Sequence, residues 1–358
     1  MDSETRLSLI TRNLVEVITE DELREKVSSG AQLKGYIGYE PSGLAHIGHL
    51  IWMFKVKDLV EAGVQFNVLE ATWHAMINDK LGGNMELIRR SAWLFREVMR
   101  SLGVPVDSIN FVDAESMASD KEYWALVLRV LKMTSLARVK RALTIMGRSM
   151  DEAELDASKI VYPAMQVSDI IYMDLDIALG GLDQRKAHVL QREVAERMGR
   201  KKVIALHTPI LTGLEGGKRM EGVESDEQAA AFKMSKSKAS SAIFVNDTPE
   251  QVRAKIRSAY CPPRQAEMNP VMEIAKYILF ARPGFVLHVE RPAKYGGPVD
   301  FYSYQELESY YLSGRLHPAD LKEAVADSLI GLLEGPRKLF ERDDVKELVK
   351  VLESSVTR

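Results

Sequence analysis

Between residues 36 and 69 the chain reads strand, turn, helix, strand, and this order constrains the fold more than any other stretch. Residues 36–40 form a short β-like run that ends on Pro41-Ser42-Gly43, a turn signal. A helical pattern follows over about residues 46–62, with Gly63 where a C-terminal capping glycine is expected. Residues 64–69 are apolar and partly β-branched, the pattern of a buried strand. Two strands joined by a helix within about 35 residues lie parallel with a right-handed crossover. The chain is thereby committed to a parallel sheet, and such a sheet binds ligands at the carboxyl ends of its strands.

The rest of the chain extends this plan. Leu87, Ile88, Leu94, Phe95, Val98, Met99 and Leu102 fall at helical spacing over residues 86–102, and Gly103 and Pro105 end that helix. Residues 109–112 read as a strand, and residues 170–177 and 203–206 as further strand-like runs around an amphipathic helix over 184–198. Residues 120–148 read as helical and end basic, with Arg138, Lys140, Arg141 and Arg148. Residues 2–30 read as a charged helical lead-in. Over 213–242 Gly, Ser, Lys and Glu dominate, which predicts a mobile connector. Thr248-Pro249-Glu250-Gln251 is a capping box with proline at the first helical position, and helical periodicity recurs at 270–281, 304–312, 318–334 and 336–353. The expected fold is α/β: a Rossmann-like parallel-sheet catalytic domain over 1–212 with a helical insertion near 105–160, a lysine loop over 213–242, and a mostly helical domain over 243–358.

A length of 358 residues suits two or three packed domains. The formal net charge of −3 means that a nucleic-acid partner must be met by a local basic patch. Cys261 is the single cysteine, so no intramolecular disulfide framework exists, which suits the cytosol. Residues 1–25 mix charges and carry no apolar run like that of a secretory signal, and no stretch approaches about 20 apolar residues. A cytoplasmic protein without a membrane partner is expected.

Two motifs carry chemistry. The first ends on His46-Ile47-Gly48-His49, where a strand gives way to a helix. A helix start presents free N–H groups and positive dipole character to phosphate. His46 and His49, three apart, are expected on one face of the first turn, donating to phosphate oxygens. Gly48 would let adenine or ribose approach the backbone. Alone, this pattern fits equally a pair of surface histidines or a metal pair. The second motif is Lys233-Met234-Ser235-Lys236-Ser237, inside the connector. Lys233 and Lys236 around the hydroxyls of Ser235 and Ser237 suit transient capture of a polyphosphate by a loop that closes over ATP. A lone pair of lysines at this spacing would more often be a solvated basic loop. Together the two motifs resemble the paired signatures of class I aminoacyl-tRNA synthetases.

Residues 36–43, 162–169 and 180–186 resemble the tyrosine-site segments of tyrosyl-tRNA synthetases of archaeal and eukaryotic type, and the similarity runs to about residue 336. The resemblance implies that Tyr36 and Asp169 bind the phenolic hydroxyl of tyrosine. It assigns Tyr162, Gln166 and Gln184 to the α-amino end and Glu40 to the pocket wall. A carboxylate can accept the phenol's proton while a second hydroxyl donates to its oxygen. Phenylalanine would leave both groups unpaired, a rejection of about 10⁴–10⁵ that needs no editing domain. Taken singly, Tyr36 reads as a core tyrosine and Asp169 as a helix-face charge. Three departures from the archaeal pattern stand out: Thr72 where aspartate is frequent, which leaves the role of His74 open, a lengthened segment over 214–231, and Lys236 where many members carry serine.

By the same resemblance His317 and Asp320 contact the first anticodon base of tRNA(Tyr), and Tyr295 stacks on a base. His317 before Pro318, with Asp320 in the first turn, is equally good helix-start chemistry. In relatives the 105–160 insertion forms a dimer interface, so a homodimer is implied, and its basic end is a candidate contact for the acceptor stem. The expected substrates are tyrosine, tRNA(Tyr) and ATP. Mg²⁺ would arrive with ATP, since no dedicated carboxylate cage or tightly bound cofactor is legible. Rival readings are a tryptophanyl enzyme, a small nucleotidyltransferase and a non-catalytic tRNA-binding relative.

Overall fold

A computed structural model describes residues 1–146, 156–217, 232–234 and 241–355. The chain divides into two units: Met1–Leu44 with Lys55–Pro209 and Glu347–Arg358, and Ala45–Phe54 with Ile210–Lys346.

The first unit is built on a six-stranded sheet, in the order β1-β6-β5-β2-β3-β4. The strands are β1 (Glu16–Ile18), β2 (Lys34–Tyr39), β3 (Gln65–Glu70), β4 (Asn110–Asp113), β5 (Ile177–Gly181) and β6 (Ile204–Thr208). All neighbours pair parallel except β1, which runs antiparallel to β6. The chain builds outward from β2 through β3 to β4, then returns to place β5 on the other side of β2. The carboxyl ends of β2 and β5 therefore flank a topological switch point, the place where an open α/β sheet holds its ligand. The expected βαβ unit is present, with β2 and β3 in register from Lys34↔Gln65 to Tyr39↔Glu70.

The helices of this unit are α1 (Ser3–Thr11), α2 (Glu20–Ser28), α3 (Gly48–Glu61), α4 (Thr72–Ile77), α5 (Met85–Ser101), α6 (Ala114–Ala118), α7 (Lys121–Met133), α8 (Leu136–Ala142), α9 (Ala157–Tyr172) and α10 (Arg185–Arg197), with the start of α3 lying in the second unit. Side chains of Asn84, Asp120 and Asp156 accept from backbone N–H groups at the starts of α5, α7 and α9. Tyr36, Leu69 and Ala178 of the sheet share one core with Val167 and Ile170 of α9 and Leu190 and Val194 of α10.

Two expectations fail here. The apolar run from residue 170 is the end of α9, and the strand begins only at Ile177. Helix α9 is buried on most of its circumference, from Lys159 through Tyr162 and Met165 to Ile170, so its sequence lacks the polar stripe that marks a helix. The lead-in is not all helix, because β1 interrupts it. Three residues are too few to show a period. Across β6 the edge is held by polar bonds: His207 Nδ1 lies 2.7 Å from Glu16 Oε2, and its Nε2 lies 3.0 Å from His188 Nδ1.

In the second unit residues 45–47 lie antiparallel to 243–245: Ile47 N–H donates to Ile243 O at 2.9 Å and Val245 N–H to Ala45 O at 3.1 Å. Helices Pro249–Ser258, Pro270–Ile274, Tyr304–Leu312, Pro318–Leu332 and Glu334–Phe340 follow; the helix Asp343–Ser355 closes the described chain, and from Glu347 on it belongs to the first unit. The capping box at Thr248 and Gln251 forms in full. Arg253 joins Pro249–Ser258 to Pro318–Leu332 through Glu323 at 2.7 Å and Asp327 at 2.5 Å. A hairpin of Leu287–Val289 and Val299–Phe301, absent from the sequence reading, interrupts the helices.

Candidate active site

The polar cluster of the first unit assembles at the ends of β2 and β5. Tyr36, on β2, is 1% exposed, and Asp169, on α9, is equally buried. Burial pushes the Tyr36 phenol well above its ordinary pKa, the Asp169 charge adds to that, and a hydrogen bond with Gln166 acts against it. The two residues that sequence resemblance assigns to a phenol thus share one buried neighbourhood. Asp169 is not bare. Tyr123 Oη, from α7, donates to its Oδ1 at 2.7 Å, and His74 Nε2, from α4, stands 3.2 Å from its Oδ2. Burial raises the Tyr123 phenol and the Asp169 charge raises it further, so Tyr123 keeps its proton and acts as donor.

A second carboxylate organises the other side. Glu40, half-buried just past β2, accepts from Tyr162 Oη at 2.6 Å and from Asn78 Nδ2 at 2.9 and 3.0 Å, with Lys80 Nζ at 3.4 Å. The His74 and Tyr162 rings meet edge to face at 5.0 Å, which places one imidazole between the two carboxylate clusters. Gln166 Nε2 donates to Gln184 Oε1 at 3.1 Å, and Gln184 Nε2 to Ile145 O at 3.1 Å. Gln166 Oε1 has no hydrogen-bond partner among the described residues, a buried acceptor ready for a donor such as an ammonium. A Cβ at Gly180 would sit 3.0 Å from both Gln184 Cβ and His188 Cε1, so a side chain there would press on Gln184. Tyr36, Glu40, Tyr162, Gln166, Asp169 and Gln184 therefore all belong to linked clusters.

Sequence reasoning missed Tyr123, Asn78 and Lys80 and left His74 open. Tyr123 shares a core stripe with Val127 and Val130 and reads as packing. Asn78, four residues after His74, is the one with a legible signal: it ends α4 ahead of a left-handed turn at Asp79, Leu81, Gly82 and Gly83. Thr72 hydroxyl donates to Asp113 at 2.8 Å and so anchors the start of α4 that carries His74.

The phosphate-directed motifs lie in the second unit. Helix α3 begins at Gly48, so His46 precedes it and pairs with Phe244 in a β-bridge, contrary to the expected single helical face. The Pro-Ser-Gly turn and this pairing delay the helix by about half a turn. The rings still meet, with centroids 4.0 Å apart, and His46 N–H donates to His49 Nδ1 at 3.1 Å. Gly48 N–H donates to His46 Nδ1 at 3.1 Å, and a Cβ on Gly48 would come within 2.8 Å of the His46 ring. The absent side chain thus admits the neighbouring imidazole. Lys233 bridges Thr212, whose backbone N–H and hydroxyl bond Glu273 at 2.8 and 3.0 Å, and Met234 N–H donates to Leu211 O at 2.7 Å. Burial raises the Glu273 carboxyl, against the pull of its Thr212 bonds. Ser235, Lys236 and Ser237, like most of the lengthened segment over 214–231, lie outside the described residues.

The residues assigned to RNA lie at the surface, Asp320 half-buried. Tyr295 is 60% exposed beside Lys294, whose Nζ lies 4.8 Å from its ring centre. Exposed His317 is the N-cap of Pro318–Leu332: its Nδ1 accepts from Ala319 N–H at 3.1 Å, and Asp320 falls in the first turn.

Comparison with known proteins decides the family. Residues 28–334 match the model of tRNA synthetases class I (W and Y). The chain belongs to this family. It is 62% identical to a tyrosine--tRNA ligase of Aeropyrum pernix over 361 residues, covering 100% of this chain and 99% of that one. A tyrosine--tRNA ligase of Saccharolobus islandicus is 58% identical, with 100% of each chain covered. Among solved structures, tyrosyl-tRNA synthetase from Pyrococcus horikoshii complexed with L-tyrosine superposes with a TM-score of 0.90 at 41% identity, covering 99% of this chain and 100% of that one. A tryptophanyl-tRNA synthetase from Aeropyrum pernix shares the fold, with a TM-score of 0.69 at 18% identity. No helix among the described residues is long and apolar enough to cross a membrane.

Proposed function

We propose that this chain activates L-tyrosine with ATP to tyrosyl-adenylate and transfers tyrosine to the 3′ end of tRNA(Tyr). One observation carries the choice of amino acid. A buried carboxylate, Asp169, stands beside a buried phenol, Tyr36, and a partner of both donor and acceptor character satisfies the two together. An indole N–H donates but cannot accept, so tryptophan would leave the Tyr36 hydroxyl without a reason. The orphaned Gln166 Oε1 and the Gln166–Gln184 bond suit the α-ammonium, with Tyr162 and Glu40 lining that end.

The tyrosine carboxylate attacks the α-phosphorus of ATP in line, pyrophosphate leaves, and a ribose hydroxyl of the terminal adenosine then takes the tyrosyl group. No protein nucleophile is needed, because positioning and charge stabilisation supply the catalysis. His46 and His49 steady the developing phosphate charge, with Gly48 keeping the helix start open. Lys233 and Lys236 draw off pyrophosphate, with Ser235 and Ser237 on the phosphates. Mg²⁺ enters with ATP as part of the substrate. Tyr295, His317 and Asp320 read the anticodon. Residues 1–212 form the catalytic domain, 213–242 the lysine loop and 243–358 the anticodon-binding domain. Exposed Leu128, Met133 and Leu136 on α7 and α8 support a homodimer built through the insertion. The cytoplasm is the proposed compartment.

ATP–pyrophosphate exchange run with all twenty amino acids tests the assignment. Exchange with tyrosine alone supports it. Exchange with tryptophan instead, or tRNA binding with no exchange at all, overturns it.

A further inference from the structure

His74 is a buried member of the pocket to which neither its sequence nor the proposed chemistry gives a task. It is 2% exposed, and α4 carries its Nε2 to 3.2 Å from Asp169 Oδ2, while neither ring nitrogen completes a hydrogen bond among the described residues. The groups around it come from every element of the pocket: Asp169 and Tyr162 from α9, Glu40 from the turn after β2, Tyr36 from β2, and Tyr123 from α7 through the shared Asp169. A buried polar ring without a completed hydrogen bond is costly unless its contact does something.

We infer that His74 is a positioning residue that sets the preference for tyrosine by holding the Asp169 carboxylate toward the substrate hydroxyl. The inference rests on the tyrosine-site reading and adds to it the group that makes the carboxylate usable. Asp169 Oδ1 is filled by Tyr123, and Oδ2 is the oxygen that His74 Nε2 faces at 3.2 Å. A carboxylate has about four lone-pair sites, so Tyr123 and His74 still leave room for a substrate hydroxyl. Burial pulls the imidazole down, but the charges of Asp169 and Glu40 outweigh it and the ring titrates above its ordinary value. Without that neighbour, the Oδ2 side of the carboxylate can turn away from the substrate hydroxyl. Tyrosine then loses the bond that phenylalanine never makes, and the gap between the two narrows.

The experiment measures ATP–pyrophosphate exchange with tyrosine and with phenylalanine in the full chain for His74→Leu, His74→Asn, His74→Gln and Asp169→Asn, each checked for a cooperative thermal transition. A glutamine amide nitrogen reaches the Nε2 position and can donate to Asp169, whereas that of asparagine stops near Nδ1. The expected result is a tyrosine-over-phenylalanine ratio lowered about tenfold or more in the leucine and asparagine variants, through KM for tyrosine with kcat within about threefold, and largely restored in the glutamine variant. A ratio equal to wild type in His74→Leu overturns the inference. If that variant does not fold, equal ratios in the asparagine and glutamine variants overturn it. Asp169→Asn separates the two levels: loss of tyrosine preference there, with no loss at position 74, rejects only the role of His74. Preference kept in Asp169→Asn rejects the tyrosine site itself.

Discussion

Asp169 and His317 are both polar residues to which resemblance gives a substrate contact, but the molecule treats them in opposite ways. Asp169 is buried among Tyr123, His74 and Tyr36, and each of its near neighbours is itself polar and buried. His317 is exposed at a helix start, where it caps Ala319 N–H and would be good local chemistry in any protein. A buried charge must be answered by its surroundings, so the surroundings report what it is for. An exposed cap is satisfied by its own helix and reports only the helix. The pocket therefore carries functional information in its geometry, and the helix start carries it only through what binds there.

The largest expected effect breaks the pocket at its centre. Asp169→Asn sets an amide against the Tyr123 hydroxyl and the His74 ring, and should lower kcat/KM for tyrosine activation by about a hundredfold or more in pyrophosphate exchange. A loss below about fivefold would show that the buried cluster is packing and not recognition. Lys233→Ala comes next. Its contact belongs to the transition state, so single-turnover adenylate formation should slow by about a hundredfold while tyrosine affinity, measured by equilibrium binding, stays within about twofold. An unchanged single-turnover rate removes Lys233 from the chemistry.

What was legible beforehand follows the same division. The βαβ unit, the capping box at Thr248 and Gln251, and the pocket residues Tyr36, Tyr162 and Asp169 were visible because local spacing or a family pattern marked them. Tyr123 was not, because a core stripe with Val127 and Val130 hides one hydroxyl that happens to meet a carboxylate 46 residues away. The strand expected over 170–177 failed because a helix buried on most of its circumference shows little polar stripe. The early start given to α3 failed because residue 46 is held by a β-bridge to residue 244, a long-range contact with no local trace.

Glu40 offers a smaller test of the rule that burial reveals purpose. It is answered by Tyr162, Asn78 and Lys80 together, and Glu40→Gln would set an amide against those donors. The cost should be about 2 kcal/mol, seen as a fall in Tm of several degrees, because partners lose their acceptor while remaining desolvated. An unchanged Tm would mean that solvent replaces the lost charge. The same cluster predicts a pH signature. The folded His74 imidazole titrates above its unfolded value, burial opposing the shift and Asp169 and Glu40 driving it. The folded state then binds the proton more tightly, so this contribution is complete below the ordinary imidazole value near ~6.5 and is lost as pH rises through the folded one. Wild type minus His74→Gln should therefore show a stability difference that shrinks from about pH 6 to higher pH in parallel melting curves.

The smallest effect on the folded chain, and the sharpest for the comparison, belongs to His317. Its ring accepts one hydrogen bond at a helix that already has Pro318 at its first position and Asp320 in its first turn. His317→Ala should cost only about 1 kcal/mol of stability. Pyrophosphate exchange should not change, since that assay needs no RNA. Aminoacylation should suffer, with KM for tRNA(Tyr) raised about tenfold if the ring meets a base. His317→Asn divides the two roles of one side chain: asparagine caps as well as any residue but lacks the imidazole, so stability should return while the tRNA defect stays. Recovery of both would leave His317 a helix cap and nothing more.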